Sequence, residues 1–465
     1  MKILLVFPPI LGEERYGKLA RAGSYLPPLG LLYLAGVLEK EHEVRIVDGS
    51  VLDITVEDMR DEIRSWRPDV VGISAYTPTF YRALAIAKVV KETDPGILTV
   101  LGGPHPTACP EETIRDKNVD IVVAGEGEVT FPELVSAFEA KGDLSKIKGV
   151  YSKKDGGVCA AEPRERIGKL DELPFPARHL LDMRLYKPSV MHYKNLPAFS
   201  IMCGRGCPYK CTYCSCSKVF NGGVTLRTPE NAISEIKHLI AEYGAREIMV
   251  WDDTFGLSKK WASAFCGLIK PLNLTWSAWM RVDLADPEIL RKMAGSGCWH
   301  ISYGVESGSQ KVLDTIKKGI TIEQIRNAFK WTHQAGMEAR GTYILGLPNE
   351  TERTMEDTVN IAIETGADYA QFQLLTPYPG TELWDTAGGY GEFAIKDFSK
   401  YTIWFPVFIP KGLTTEGLLR AHRAAYRKFY FRAGYIRQSL KKLNNWGDVR
   451  RTFTGVLSLL EYFFK

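Results

Sequence analysis

The sequence predicts an α/β protein with two successive series of alternating strands and helices, followed by a helical C-terminal region. Short β-branched runs alternate with helical periodicity over residues 1–140 and again over residues 198–374. Between the two series, the segment 171–178 has two prolines with one residue between them, which cannot lie inside a helix. The chain has 465 residues, 45% of them hydrophobic, which is enough for more than one core.

Residues 1–145 are predicted to form a doubly wound parallel sheet. Helical patterns at 29–40, 57–66, 81–92 and 130–140 separate five strands, and such alternation favours parallel pairing. Ligands bind such sheets at the carboxyl ends of the strands. Pro8 and Pro9 follow the first strand where a nicotinamide-binding domain has G-x-G-x-x-G, so a dinucleotide site is disfavoured. The five predicted strands are 3–7, 43–48, 69–74, 98–101 and 121–124.

Residues 146–195 are predicted to be an ordered linker, and residues 196–400 a partial barrel of the (β/α)6 type. Six strand–helix units are too few for the usual eight-stranded TIM barrel and suit an open one. In barrels the functional residues lie just after the strands, at their carboxyl ends. The six predicted strands are 198–202, 247–251, 275–280, 300–304, 338–344 and 369–374.

A cysteine motif directly follows the first strand of the second series. Cys207, Cys211 and Cys214 have the spacing C-x3-C-x2-C. Three thiolates can hold three irons of a cubane cluster and leave the fourth iron open, whereas a cluster held wholly by protein takes four thiolates. The alternative is a structural zinc site with Cys203 or Cys216 as fourth ligand, although such sites usually pair two C-x2-C units and no second unit is present.

This motif, in this place, resembles the radical S-adenosylmethionine superfamily. The resemblance implies a [4Fe–4S] cluster on the three cysteines, S-adenosylmethionine on the open iron, and a flavodoxin- or ferredoxin-type electron donor. Cleavage of S-adenosylmethionine then yields a 5′-deoxyadenosyl radical. Other segments that match the superfamily also follow strands. Two of them have simpler interpretations, which remain open: residues 304–308 could be only a Gly-rich turn, and the carboxylates at 252–253 could be only solvated. The residues so implied in S-adenosylmethionine binding are Tyr213, Asp252, Glu306, Ser307, Gly341 and Leu345.

The strand ends of the first sheet are small and polar, and their glycines allow a bulky ligand to approach the backbone. With the helix opening at 27–35, they resemble the cobalamin-binding domains fused to radical S-adenosylmethionine enzymes. No Asp-x-His-x-x-Gly motif is present, so we expect base-off cobalamin with its lower face open or near Tyr76, and His105 as the less favoured cobalt ligand. The residues so implied in cobalamin binding are Pro9, Leu29, Ser74, Tyr76, Thr77, Gly102, Gly103, His105, Gly125, Glu126, Gly127 and Glu128.

The resemblance to this fusion implies a C-methyltransferase that methylates an unactivated carbon through the 5′-deoxyadenosyl radical and methylcobalamin. The substrate could be a small molecule such as a natural-product precursor, a lipid, or a protein side chain such as a residue of methyl-coenzyme M reductase. A non-methylating reaction is the first alternative, because the segment 405–413 also resembles the bacteriochlorophyll oxidative cyclase and hopanoid-, lipid- or tetrapyrrole-modifying relatives. A non-catalytic cobalamin sensor is the second alternative.

The C-terminal region, residues 401–465, is predicted to be mostly helical and basic. Residues 411–465 contain 12 Lys/Arg and 3 Asp/Glu, a charge of +9, so the rest of the chain carries 4 − 9 = −5. The patterns at 415–431 and 453–464 favour a helical cap on the barrel, with peripheral contact to an anionic membrane or docking of an acidic protein as alternatives. No nucleic-acid-binding motif is recognisable. The absence of a signal-peptide pattern favours a cytoplasmic location.

Overall fold

The first sheet is doubly wound in a computed structural model that describes residues 1–220, 222–443 and 446–464. Its order is β2-β1-β3-β4-β5-β6-β7. The five predicted strands pair in parallel, and β6 and β7, which were not predicted, add an antiparallel hairpin within the segment 146–195. The strands are β1 (Lys2–Phe7), β2 (Glu43–Asp48), β3 (Val70–Ser74), β4 (Leu98–Gly102), β5 (Ile121–Val123), β6 (Val150–Lys154) and β7 (Gly157–Ala160).

Helices cover both faces of this sheet, so its strands are buried on both sides and each face has its own apolar core. β1 lies between β2 and β3, so the chain connections leave β1 in opposite directions across the sheet. The crevice at the carboxyl end of β1 is therefore the expected ligand site. The helices are α1 (Gly12–Tyr16), α2 (Leu29–Leu38), α3 (Gly49–Leu52), α4 (Asp58–Trp66), α5 (Phe80–Thr93), α6 (Pro104–Ala108), α7 (Pro110–Ile114) and α8 (Gly127–Glu139).

The second series forms the predicted open sheet of six parallel strands, ordered β15-β14-β13-β12-β11-β8. A short antiparallel pair, β9 with β10, closes the loop after β8, and β16 pairs with β17 after the barrel. The strands are β8 (Ala198–Ile201), β9 (Gly204–Arg205), β10 (Thr225–Leu226), β11 (Glu247–Phe255), β12 (Thr275–Met280), β13 (Cys298–Glu306), β14 (Glu338–Leu345), β15 (Tyr369–Leu374), β16 (Gly391–Phe393) and β17 (Phe408–Pro410).

The barrel helices pack on the outer face of these strands and share one core with them. Local signals explain where several of them begin and end. The Thr228 hydroxyl caps α10, and Gly244 ends it in the left-handed conformation, φ 63°. The helices are α9 (Cys216–Val219), α10 (Pro229–Tyr243), α11 (Lys259–Ile269), α12 (Pro287–Gly295), α13 (Gln310–Thr315), α14 (Ile322–Gln334), α15 (Glu352–Glu364) and α16 (Glu382–Tyr390).

The C-terminal region is helical, as predicted, and its first helix covers the exposed edge of β15. The Tyr430 hydroxyl donates to the carbonyl oxygen of Ala370 at 2.8 Å, and the Tyr426 hydroxyl donates to that of Phe372 at 3.1 Å. These bonds occupy backbone groups that an edge strand otherwise leaves unpaired. Within the described ranges, no helix is long and apolar enough to cross a bilayer. The helices are α17 (Thr415–Tyr430), α18 (Ala433–Lys441) and α19 (Trp446–Phe464).

Candidate active site

The three motif cysteines lie on one loop at the carboxyl end of β8, where the barrel rule places functional residues. All three are free and half-buried. They are close enough to influence each other's ionisation: burial raises the pKa of Cys214 to about 11, and the charges of Cys211 and Cys207 add to that rise. Three converging thiols on a half-buried loop therefore fit a cluster that is held at three corners.

The backbone at the start of this loop requires glycine. Gly206 has φ +89°, and a Cβ atom there would lie 1.9 Å from the carbonyl oxygen of Gly223. The loop is also tied to the barrel, because Thr212 N–H donates to the carbonyl oxygen of Ile316 at 3.0 Å and Leu383 N–H donates to that of Thr212 at 2.8 Å. The cysteines are thus held on a fixed backbone before any cofactor binds.

Two acids at the end of β11 accept hydrogen bonds from the backbone of the same loop. The Asp252 carboxylate accepts hydrogen bonds from the N–H groups of Cys203, at 2.6 Å, and Gly204, at 3.1 Å. The Asp253 carboxylate accepts from Gly206 N–H at 2.8 Å. Burial raises the pKa of Asp252 to about 7. Asp252, predicted to contact S-adenosylmethionine, therefore positions the loop through one of its carboxylate oxygens.

Cys216 is placed beside the motif, where the sequence left its role open. A hydrogen bond with the Cys216 side chain lowers the pKa of Cys207 to about 6, and the Thr254 hydroxyl lies 3.5 Å from Cys207 Sγ. Since metals bind the thiolate, these partners favour the ligating form of Cys207. Cys203 is fully buried and its side chain faces the barrel core.

Two cations beside the cysteines were not identified from the sequence. Arg281, just after β12, places Nη1 3.8 Å from Cys211 Sγ and lies over the ring of Tyr209 at 3.5 Å. Lys318 Nζ lies 2.6 Å from Glu306 Oε1 and 3.3 Å from the hydroxyl of Tyr213. Their charges lower the pKa of Cys211 against burial, which raises it. Position after a strand was the only sequence signal for Arg281.

The other residues predicted to bind S-adenosylmethionine lie at the end of β13 and along β14. Glu306 has a positive φ of 68°, which is rare for a residue with a side chain. Ser307 is buried, with its hydroxyl 3.3 Å from that of Thr358. Gly341 lies in the middle of β14, paired with β13 and β15, and a Cβ atom there would meet the Tyr343 hydroxyl. Leu345 ends β14, is packed in the core, and its carbonyl oxygen accepts a hydrogen bond from Leu375 N–H at 2.9 Å.

The open part of the first crevice lies after β1, β3 and β4. Tyr76 is half exposed there and meets Phe7 edge-on, with ring centroids 5.6 Å apart. Gly103 has φ +94°, and a Cβ atom there would lie 2.8 Å from Ser74 Oγ. The remaining predicted residues at this edge are partly buried: Pro9, Leu29, Thr77, Gly102, Gly125 and Gly127.

Three of the residues predicted for cobalamin binding make polar contacts within the protein. Glu126 and Glu128 form ion pairs with Arg205, at 2.7 and 2.6 Å, and all three side chains are at least 90% buried. His105 is completely buried, and its Nδ1 lies 3.2 Å from the Thr77 hydroxyl. Arg205 comes two residues before Cys207, so this ion-pair cluster joins the cysteine loop directly to the first domain.

Comparison with known proteins agrees with the order of the two domains. Residues 18–135 match a family model described as a B12 binding domain, and residues 201–362 match the radical SAM superfamily. An uncharacterized methyltransferase of Pyrococcus horikoshii, PH0819, is 39% identical over 98% of both chains. The anaerobic magnesium-protoporphyrin IX monomethyl ester cyclase of Rubrivivax gelatinosus is 30% identical, over 95% of this chain and 80% of its own.

Two solved structures share the fold. The radical S-adenosylmethionine methyltransferase TsrM from Kitasatospora setae, solved with cobalamin and a [4Fe–4S] cluster, aligns over 98% of both chains with a TM-score of 0.70 and 16% identity. The cobalamin-dependent S-adenosylmethionine radical enzyme OxsB, solved with aqua-cobalamin and S-adenosylmethionine, covers 99% of this chain and 72% of its own, with a TM-score of 0.73 and 15% identity. Both place the two domains in the same order along the chain.

Proposed function

Because the chain belongs to the cobalamin-dependent radical S-adenosylmethionine enzymes, we propose that it methylates an unactivated carbon of a small molecule or a protein side chain. The cofactors of this enzyme are a [4Fe–4S] cluster, S-adenosylmethionine and cobalamin. When bound, they supply a 5′-deoxyadenosyl radical that abstracts hydrogen and a methyl group that replaces it.

One observation carries this proposal: the cysteine loop and the crevice of the first domain are joined through Arg205, which pairs with Glu126 and Glu128. A reaction that uses both sites on one substrate needs the two sites to be held at a fixed distance and orientation. The buried ion pairs hold the two sites in this way, because Arg205, which pairs with the first domain, is two residues before Cys207.

The residues of the chain have separate tasks in this proposal. Cys207, Cys211 and Cys214 would hold the cluster as thiolates. The charge of Arg281 favours the thiolates of Cys207 and Cys211, and that of Lys318 favours those of Cys211 and Cys214. The same two cations suit the carboxylate of S-adenosylmethionine. Glu306, Ser307 and Tyr213, with Gly341 and Leu345 on β14, would bind the rest of that cofactor, and the edge beside Tyr76 would face cobalamin.

The test is anaerobic incubation of the reconstituted enzyme with a flavodoxin-type reductant and methyl-labelled S-adenosylmethionine. The substrates supplied are metabolite and peptide fractions of the source cell. Each turnover should consume two S-adenosylmethionine and two electrons, and release S-adenosylhomocysteine, methionine and 5′-deoxyadenosine in equal amounts with one labelled product. A Cys214→Ala variant should form neither 5′-deoxyadenosine nor labelled product, whereas Cys159→Ala, a half-buried cysteine on β7, should form both.

A cyclase-type reaction is the second candidate, favoured by the 30% identity to the Rubrivivax gelatinosus enzyme. The same assay separates the two reactions. Product that forms together with 5′-deoxyadenosine, but without S-adenosylhomocysteine and without label, would contradict methyl transfer and support the cyclase-type reaction.

A further inference from the structure

Three potential metal ligands of different chemistry meet on the segment after β4, and together they form a cluster that neither cofactor site uses. They are His105 on α6, Cys109 at the junction, and Glu112 on α7. Cys109 N–H donates to the carbonyl oxygen of His105 at 2.8 Å. Cys109 itself is not helical, with φ −128° and ψ 59°, and the turn that it makes brings the two short helices together. A ring nitrogen of His105, Cys109 Sγ and a Glu112 carboxylate oxygen lie within 4.8 Å of one another.

His105 provides the second, independent observation. Its ring is wholly buried, with its centroid 4.0 Å from that of Phe80 and 5.1 Å from that of Phe398. Nδ1 lies 3.2 Å from the Thr77 hydroxyl, whereas Nε2 is buried and has no hydrogen-bond partner among the described residues. Buried polar atoms are almost always paired, so this nitrogen is poised for a ligand that the protein alone does not provide.

We propose that His105, Cys109 and Glu112 bind a divalent transition metal, with Zn²⁺ the ion that suits them best. One imidazole nitrogen, one thiolate sulfur and one carboxylate oxygen form a mixed donor set that zinc accepts in tetrahedral geometry. Because Glu112 is at the exposed end of the cluster, a water completes the coordination. A single thiolate excludes an iron–sulfur cluster here, since such clusters take several.

The position of this site gives the metal a structural task. The end of α6 contacts the segment after β15, because a Cβ atom on Gly380 would lie 3.0 Å from Ala108 Cβ. The turn before His105 contains Gly103, which approaches Ser74 at the edge of the cobalamin crevice. A metal on these ligands would therefore fix a wall of the crevice against the barrel.

Metal content of the cluster- and cobalamin-loaded enzyme tests this proposal. The enzyme is dialysed against limiting ZnCl2 after a mild chelator wash, and zinc, iron and cobalt are counted by mass spectrometry. We expect about one zinc per chain, falling at least tenfold in Cys109→Ser and in Glu112→Gln while iron and cobalt are unchanged. Cys159→Ser, on β7 of the same domain, is the matched control and should keep its zinc.

The zinc K-edge spectrum identifies the ligands. One sulfur at about 2.3 Å with nitrogen and oxygen near 2.0 Å is expected in the wild type. Zinc that binds equally in wild type and Cys109→Ser, a shell of several sulfurs, or no retained zinc would each overturn the proposal. Several sulfurs would locate the zinc at the motif cysteines instead. None of these readings depends on methyl transfer, so failure of the proposed function would leave the result interpretable.

Discussion

Replacing Arg205 by methionine should destabilise the protein more than replacing either of its partners. The substitution leaves Glu126 and Glu128 at least 90% buried with no counter-ion, and removing one partner of a buried pair costs roughly 3–5 kcal/mol. The Arg205 guanidinium also lies 5.0 Å from the ring of Tyr33, a contact that methionine only partly replaces. We therefore expect Arg205→Met to lower the free energy of unfolding by roughly 3–5 kcal/mol.

Glu128→Gln should cost less. Arg205 keeps Glu126 as its counter-ion, and the glutamine oxygen still accepts a hydrogen bond. The loss is then that of one charge-assisted bond, roughly 1.5–3 kcal/mol. Glu111→Gln is the matched control, because Glu111 pairs with Arg115 on the surface, with both side chains about two-thirds exposed. Such a pair contributes only about 0.3–0.5 kcal/mol.

Urea unfolding followed by circular dichroism gives the three free energies, and the double variant Arg205→Met/Glu128→Gln completes a cycle. If the pair is energetically coupled, the double variant should cost less than the sum of the single ones by at least 1 kcal/mol or so. Because Arg205 precedes Cys207, iron content after reconstitution should fall in Arg205→Met. Equal costs for Arg205→Met and Glu111→Gln, or strictly additive effects, would refute this account of the domain junction.

Three further predictions concern other parts of the chain. Gly206→Ala should prevent cluster assembly, measured as iron per chain, because its Cβ atom would meet the backbone of Gly223. Gly244→Ala is the control: its Cβ atom has open space, so the variant should lose only about 1 kcal/mol of stability and keep its iron. Burial raises the pKa of Glu350 from its ordinary 4.5 to about 8, so the native chain keeps a proton that the unfolded chain releases. The free energy of unfolding should therefore fall by an amount on the order of 4 kcal/mol as pH rises from 4.5 to 8, and pH-resolved urea unfolding should show a flatter profile for Glu350→Gln. Leu440→Glu on α18, where the leucine is 62% exposed, should change the free energy of unfolding by no more than about 0.5 kcal/mol in urea unfolding, and a larger loss would contradict the exposed position of this side chain.

The fold could be predicted because its signals are local. The five strands of the first sheet and the six of the barrel are apolar runs that are bounded by turn residues, and each occurs in the structure within a few residues of its predicted bounds. β6 and β7 were missed because they are short and partly polar, and exposed residues such as Lys153 and Lys154 obscure the apolar pattern of a strand. They join the sheet by antiparallel pairing at its edge, which residue periodicity does not report.

The candidate site was predictable only where the chemistry is carried by neighbours in sequence. Cys207, Cys211 and Cys214 are such a case, since their spacing alone specifies three converging thiols. Arg281 and Lys318 come from two other strand–helix units, so only the folded sheet brings them to the cysteine loop. A single arginine or lysine after a strand is too common in proteins to indicate a site by itself.

Acids at strand ends show why position alone does not assign a ligand. Glu126, Glu128 and Asp252 lie at the carboxyl edges where cofactors bind, and each was predicted to contact one. The two glutamates are paired with Arg205, which lies 77 to 79 residues away in sequence, and Asp252 bonds to backbone 48 to 49 residues away. The edge that receives a cofactor must also hold the domain opposite it in place. Carboxylates there can serve either purpose, and these three hold distant parts of the chain together, which their position after a strand does not reveal.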